Sequence, residues 1–283
     1  VNTIAGNVSG ATLASAKVVS SPAELIDLKR YPISDKGSQE YASLIAECRE
    51  QMRQLGACVL HGFISGEAIK AMAIEAEALA PLAFHNTLTG NAYLTELDAT
   101  LPADHPRNRV ETTALGAVAY DQIPQGSLLR QLYEWDGLME FLADALGKGK
   151  LYRYADPMGA LNIAVMKDGD YLRWHFDQTD FVTSILLQPS KGGGEYEFVP
   201  MIRNSQDERY EAVKAVLAGA SEGVIQLEIH PGSLVLFEGR NSLHRVTAIE
   251  GDRLRLIALL GYDTKPGVVS SDYLRKIRYG RTK

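Results

Sequence analysis

Apolar positions recur at helical spacing in the first half of the chain and in short strand-like runs in the second. Over residues 41–55, Leu44, Ile45, Cys48 and Met52 share one face of a helix, and Gly56 stands where a left-handed C-cap belongs. Residues 57–63 read as a buried strand, and Ser65 is placed to N-cap a second helix reaching Leu79. Residues 85–109 carry Asn, Thr, Pro, Asp and Gly with little periodicity, which predicts a long loop of the lid or binding kind. A third helix is expected over 127–146, stopped by Gly147.

The pattern then changes. Strands are expected near 151–154, 160–166, 183–188, 196–198, 225–229, 233–237 and 254–262, interrupted by one helix over 207–217. Many short strands between Gly and Pro turns predict a sandwich or barrel. The expected fold is α+β in one domain over residues 1–283. A helical N-terminal buttress and lid (1–148) would support a double-stranded β-helix, a cupin-like jelly roll (149–283). Residues 1–21 lack the basic start and apolar core of a signal peptide, and are expected to form a strand or an ordered arm.

Composition narrows the classes. Hydrophobic residues at 46% and charged residues at 23% are those of a soluble globular chain. A net charge of −6 argues against nucleic acid or an anionic membrane as the main partner, because both reward basic patches. No apolar run is long enough to span a bilayer. The cysteines, Cys48 and Cys58, form no Cys-x-x-Cys motif and no disulfide framework, so a reduced, cytoplasmic setting is expected.

The chemistry centres on Trp174-His175-Phe176-Asp177. In an extended strand, i and i+2 point to one face, so His175 and Asp177 would offer an imidazole and a carboxylate side by side. His244, in Asn241-Ser242-Leu243-His244-Arg245-Val246, is the candidate third ligand. Two histidines and one carboxylate on one face of an octahedron leave positions open for co-substrate and dioxygen, the arrangement of non-haem iron(II) oxygenases. Alone, a His-x-Asp arises by chance in roughly one such chain in three; context raises its weight. Arg255 lies on an expected strand, eleven residues after His244. A buried Arg fork calls for a carboxylate, and the far carboxylate of 2-oxoglutarate fits that need. Arg253 is its rival, with strand phase deciding.

This combination resembles the iron(II)- and 2-oxoglutarate-dependent dioxygenases. More narrowly, residues 152–162, 174–177, Gly193-Gly194-Glu195-Tyr196-Glu197-Phe198-Val199-Pro200 and 241–246 resemble the radical halogenases of free amino acids and their sister lysine-, arginine- and homoarginine-type hydroxylases. The resemblance covers roughly residues 40–283. It implies Fe(II), 2-oxoglutarate and O2, with the triad holding iron, Arg255 anchoring 2-oxoglutarate, and decarboxylation to succinate accompanying substrate oxidation. In the halogenases a small residue stands at the carboxylate position, leaving room for chloride; here it is Asp177. The resemblance therefore implies hydroxylation of a free amino acid, with desaturation, cyclisation or halogenation as alternatives on the same scaffold. From another class stand a non-catalytic cupin-like metal-binding or sensor protein and a zinc hydrolase.

Further residues carry open readings. Asn162 and Ser184 line a 2-oxoglutarate pocket or are satisfied strand polar groups. Arg245 supports the co-substrate or forms a structural ion pair. A buried amino acid needs its charges met. Arg109, ahead of Arg107, is expected to take its carboxylate, and Asp156, Glu111 and Asp121 are candidates for a basic side chain. Trp174 reads as core, residues 192–194 as a glycine turn without P-loop context, His230 as structural, and Glu195 and Glu197 as solvated. His61 and His105 have no evident partner. Tyr262 and residues 273–281 would close the pocket or pack on a second copy in a homodimer.

Overall fold

A computed structural model describes residues 21–283, so the arm expected over 1–21 lies outside the described residues except for Ser21. The helices are α1 (Gln39–Leu55), α2 (Gly66–Leu79), α3 (Leu128–Glu134), α4 (Asp136–Ala145), α5 (Tyr210–Leu217) and α6 (Asp272–Tyr279). The strands are β1 (Ala57–Leu60), β2 (Phe84–Gly90), β3 (Glu111–Val118), β4 (Tyr152–Arg153), β5 (Leu161–Met166), β6 (Leu172–His175), β7 (Val182–Gln188), β8 (Gly192–Gly193) and β9 (Tyr196–Val199). They continue with β10 (Ile225–Leu227), β11 (Leu234–Phe237), β12 (Leu243–Val246), β13 (Ile249–Glu250), β14 (Arg255–Leu260) and β15 (Tyr262–Asp263).

Two antiparallel sheets dominate. The larger has seven strands in the order β1-β11-β7-β14-β5-β3-β2, and the smaller has four in the order β10-β9-β12-β6. Three strands of the large sheet, β1, β2 and β3, precede residue 148, so the sheet crosses the expected division between support and core. Strand alternation sorts the large sheet's side chains. Leu256, Ala258, Leu260 and Tyr262 enter one core with Ile163, Val165, Ile185, Leu187, Leu234 and Leu236, and α1 to α4 supply its other wall. The residues between them, Arg255, Ile257 and Leu259, therefore face the opposite, inner side. Against that side packs a second cluster of Ala57, Val235 and Phe237 with Phe198 of the small sheet.

α1 forms as its pattern predicts. Ser38 accepts a hydrogen bond from Tyr41 N at 3.0 Å, and Gly56 closes the helix at φ 65°. Ser65 holds the N-cap position of α2, but its side chain makes no capping bond. The buried strand after α1 ends at Leu60.

Two expectations are corrected. The single helix over 127–146 is two, broken at Trp135, whose backbone is extended at ψ 124°. Arg153 Nε donates to Tyr133 O at 2.9 Å and so takes a carbonyl at the end of α3. The loop over 85–109 begins as β2, paired residue for residue with β3 from Phe84↔Ala117 to Gly90↔Glu111. Tyr262 is core, its hydroxyl donating to Tyr133 O at 3.1 Å, and residues 272–279 form α6, packed on β2 and β3.

Candidate metal centre

His175 ends β6, His244 lies on β12, and the two are direct partners across the ladder, with ring centroids 4.1 Å apart. Each ring is oriented by its own strand. His175 Nδ1 donates to Arg173 O and His244 Nδ1 donates to Ser242 O, both at 2.9 Å. A carbonyl can only accept, so Nδ1 is a donor in both rings and Nε2 is the nitrogen left to face a metal.

Asp177 is not placed by strand phase, because β6 ends at His175. Its backbone N donates to Gly239 O at 3.0 Å, which carries the chain back over the small sheet. Its Oδ1 then lies 3.6 Å from His175 Nε2 and its Oδ2 lies 3.5 Å from His244 Nε2. These distances are long for hydrogen bonds and suit donors sharing a cation. Among the described residues, His175, Asp177 and His244 form the group of His, Cys and acidic side chains whose ligand atoms all lie within 4.8 Å. Burial, and then the neighbouring His244, hold His175 below its usual pKa. Burial pushes the Asp177 carboxyl up, but His244 and His175 outweigh it and hold it well below the usual carboxylate range. Metal binding needs an ionised carboxylate, and the depressed Asp177 meets that need. Phe237 meets the His244 ring edge-on at 4.8 Å and Tyr196 stacks on it at 5.7 Å, walling the site with aromatic surface.

The inner face of the large sheet supplies the second half of the site. Arg255 is 4% exposed, and among the described residues no carboxylate pairs with it. Its Nη1 reaches Met166 Sδ at 3.9 Å, and burial pushes its pKa down to about 10. A buried guanidinium without a counter-ion is costly unless an anion meets it. Leu259, on the same face of β14, pairs with Asn162 on one side and Ser184 on the other. Both polar side chains are buried and make no hydrogen bond to a described residue. The donor set fits a dicarboxylate held between Arg255 and the metal. Arg253 lies in the turn before β14 and is exposed, whereas Arg255 opens the strand and is buried.

Other candidates lie elsewhere. Arg245 alternates with His244, so it points to the outer side of β12, where Nε pairs with Glu197 at 2.7 Å and the guanidinium covers Trp174 at 4.7 Å. Of its two readings, the ion pair is the one whose partner is present. Asp156 is a correction. Its carboxylate is fully buried and accepts from Met158 N, Gly159 N, Ser270 N and Arg275 Nε, leaving no capacity for a substrate cation. Asp121 pairs with Arg281, and Glu111 lies 3.6 Å from Arg109. Arg109 itself is exposed at the foot of β3. Glu195 bonds Thr247. His61 Nδ1 lies 3.3 Å from Ser233 Oγ and its ring packs on His230, while His105 Nδ1 accepts from Arg107 N at 3.2 Å.

Sequence reasoning missed Gly239 and Arg203. A β-carbon on Gly239 would stand 2.6 Å from Asp177 Cγ, so the carboxylate occupies space that only glycine leaves open. Arg203 lies 3.8 Å over the Phe176 ring, donates to Arg240 O at 2.8 Å and pairs with Glu208, tying three loops beside the metal ligands. The glycine just past a strand was a readable signal for Gly239; nothing local marked Arg203.

A model of the halogenase D family matches residues 41–272. No curated protein matches the chain. Among solved structures, AviO1 from Streptomyces viridochromogenes Tue57 is similar at a TM-score of 0.54 and 17% identity, over 80% of this chain and 97% of that one. An oxidoreductase of the 2OG-Fe(II) oxygenase family from Burkholderia pseudomallei gives 0.51 and 14%, over 79% and 92%. The non-haem α-ketoglutarate-dependent epimerase SnoN of nogalamycin biosynthesis, described in complex with Fe3+, α-ketoglutarate and nogalamycin RO, gives 0.52 and 13%, over 78% and 84%.

Proposed function

The chain belongs to the halogenase D family, an iron(II)- and 2-oxoglutarate-dependent enzyme family, and on that ground we propose that it hydroxylates an unactivated C–H bond of a free amino acid, of the basic lysine, arginine or homoarginine type. His175, Asp177 and His244 hold the iron. Arg255 takes the far carboxylate of 2-oxoglutarate, and Asn162 and Ser184 line its path. When bound, iron would supply the centre at which dioxygen is reduced at the expense of 2-oxoglutarate, which leaves as succinate and carbon dioxide, one oxygen atom going to succinate and the other to the substrate C–H bond. The protein's part is to fix three donors, present a buried cation to the co-substrate and keep bulk water from the reacting atoms.

The observation that carries hydroxylation over halogenation is the seat of Asp177. Its carboxylate oxygens lie 3.6 and 3.5 Å from the two free imidazole nitrogens, in the place a chloride would need. In this reading the fold is a double-stranded β-helix buttressed by α1 to α4, and 1–283 is one catalytic domain. No helix among the described residues is long and apolar enough to cross a membrane.

The test is succinate release under air with Fe(II), 2-oxoglutarate and a panel of free amino acids, each product weighed by mass spectrometry with chloride present. One added oxygen on a basic amino acid, abolished in Asp177→Ala and His244→Ala, supports the proposal. Loss of two hydrogens, or addition of chlorine, would replace hydroxylation with desaturation or halogenation. No amino-acid-dependent succinate from iron-loaded protein would sink the substrate class.

A further inference from the structure

A second buried guanidinium lacks a carboxylate. Arg173 is 9% exposed, lies two residues before His175, and forms no ion pair among the described residues. Its main chain is committed: the carbonyl accepts from His175 Nδ1, and the N–H donates to Thr113 Oγ1 at 3.2 Å. Its side chain is only partly so. Nη1 donates to Thr113 Oγ1 at 3.0 Å and lies 3.5 Å from Leu88 O. Nε is buried without a partner, and Nη2 makes no hydrogen bond to a described residue. Gly90, which pairs with Glu111 across β2 and β3, leaves the guanidinium its room: a β-carbon there would stand 2.8 Å from Nη2.

Arg173 borders a cavity of about 340 Å³ that it shares with Glu111, Tyr171, Trp174, Arg245 and Val246. Arg245 covers the Trp174 ring on the outer side of the small sheet, so the cavity opens on the face that His244 does not use. Three charged side chains line it, and two are already matched. Arg245 has Glu197 at 2.7 Å, and Glu111 has Arg109 at 3.6 Å. Arg173 is the unmatched charge. Tyr171 adds a hydroxyl that makes no hydrogen bond to a described residue. Two donors without acceptors on the wall of one cavity call for a negatively charged acceptor. Glu111 limits its charge, because a dianion such as phosphate would meet a carboxylate of like sign, whereas a monoanion matches the one excess cation. Trp174 and Val246 offer apolar surface to a hydrocarbon tail.

We propose that this cavity is a second ligand site, separate from the metal centre, that binds a small monocarboxylic acid, its carboxylate on Arg173 and Tyr171 and its apolar part against Trp174. The site is independent of which substrate is oxidised. It is also separate from Arg255, which lies on the inner face of the large sheet. One residue serves both places: the Arg173 carbonyl orients a metal ligand, and its guanidinium faces the second ligand.

The experiment reads Trp174 directly. The chain has two tryptophans, so Trp135→Phe leaves Trp174 as the single indole. The full chain with that change is loaded with Zn(II) and 2-oxoglutarate, which keeps the co-substrate site filled. It is titrated at constant ionic strength with butyrate, butyramide and phosphate while the fluorescence is followed. Butyrate is expected to give a saturable change, and the other two to bind at least tenfold more weakly. In the same background, Arg173→Met should weaken butyrate at least tenfold and Tyr171→Phe several-fold, whereas Glu111→Gln should tighten it several-fold by removing a like charge. Melting curves confirm that each variant is folded; if Arg173→Met is not, the opposite signs at Glu111 and Tyr171 decide. No saturable change with butyrate, butyramide or phosphate binding as tightly as butyrate, unaltered affinity in Arg173→Met, or weaker binding in Glu111→Gln would each overturn the proposal.

Discussion

Asp177 and Gly239 are fitted to one another: the aspartate N–H donates to the glycine carbonyl at 3.0 Å, and the carboxylate fills the space a side chain at 239 would need. Gly239→Ala must therefore move the carboxylate while both imidazoles keep their backbone acceptors. Metal affinity, read by Co(II) titration, is expected to fall about 10–100-fold, the range for disturbing the support of a metal ligand. The melting temperature without metal should change little. An unchanged Co(II) affinity would mean that Asp177 is not a ligand.

Arg255 offers a prediction with two signs. Arg255→Met removes a buried charge that no described carboxylate meets, so the protein without co-substrate is expected to keep or raise its stability. In wild type, 2-oxoglutarate at 100 times its dissociation constant should stabilise the metal-loaded fold by about 2.7 kcal/mol. The variant should lose that increment in thermal melts. A full 2-oxoglutarate shift in Arg255→Met would move the co-substrate anchor elsewhere.

Asp156 ties residues 156–159 to the C-terminal segment, and its loss should be felt as stability. Asp156→Asn leaves Arg275 without its buried partner, at an expected cost of about 3–5 kcal/mol in urea unfolding at neutral pH. Burial raises the Asp156 carboxyl, but hydrogen bonds from Gly159, Met158, Ser270 and Arg275 outweigh it and hold it below its usual value. A carboxylate depressed in the folded state contributes stability that is full above the unfolded pKa of about 4 and is lost as pH falls through the folded value. The gap between wild type and variant should narrow on acidification; a gap that widens would contradict the assignment.

Arg203 separates loop order from metal ligation. Arg203→Ala removes the guanidinium over Phe176 and the bond to Arg240 O, a loss of about 1–2 kcal/mol by chemical denaturation. Co(II) affinity should stay within twofold of wild type, because no metal ligand bonds to Arg203. Proteolysis should cut sooner within residues 201–209.

What the sequence made legible followed from short-range chemistry. The apolar face and C-cap of α1 were readable from spacing, as were His175 and His244 as a candidate pair; the choice between Arg255 and Arg253 was not, because residues two apart share a strand face and only the start of β14 at Arg255 separates them. β2 was not, because it is the edge of the large sheet and four of its seven residues are exposed, leaving no apolar alternation to detect. The break at Trp135 was hidden for the opposite reason. Buried residues run on through both halves, Leu128, Leu129, Leu132 and Tyr133 before it and Leu138, Phe141 and Leu142 after it. Asp156 was half visible. Asp-Pro-Met-Gly is a turn signal that explains the bonds to Met158 N and Gly159 N. Its partners Ser270 and Arg275 lie 114 and 119 residues away, beyond any local pattern.

Each imidazole Nδ1 bonds the backbone carbonyl two residues before it, at Arg173 and Ser242, and not another side chain. Backbone carbonyls survive substitution, so two of the three protein donors are insulated from mutation in their surroundings. The third donor depends on a single pair, Asp177 and the bare backbone at Gly239. The centre is thus a rigid two-point mount with one exchangeable arm. A change of the side chain at 177 alters what the site presents to a cation while leaving both imidazoles bonded to their carbonyls.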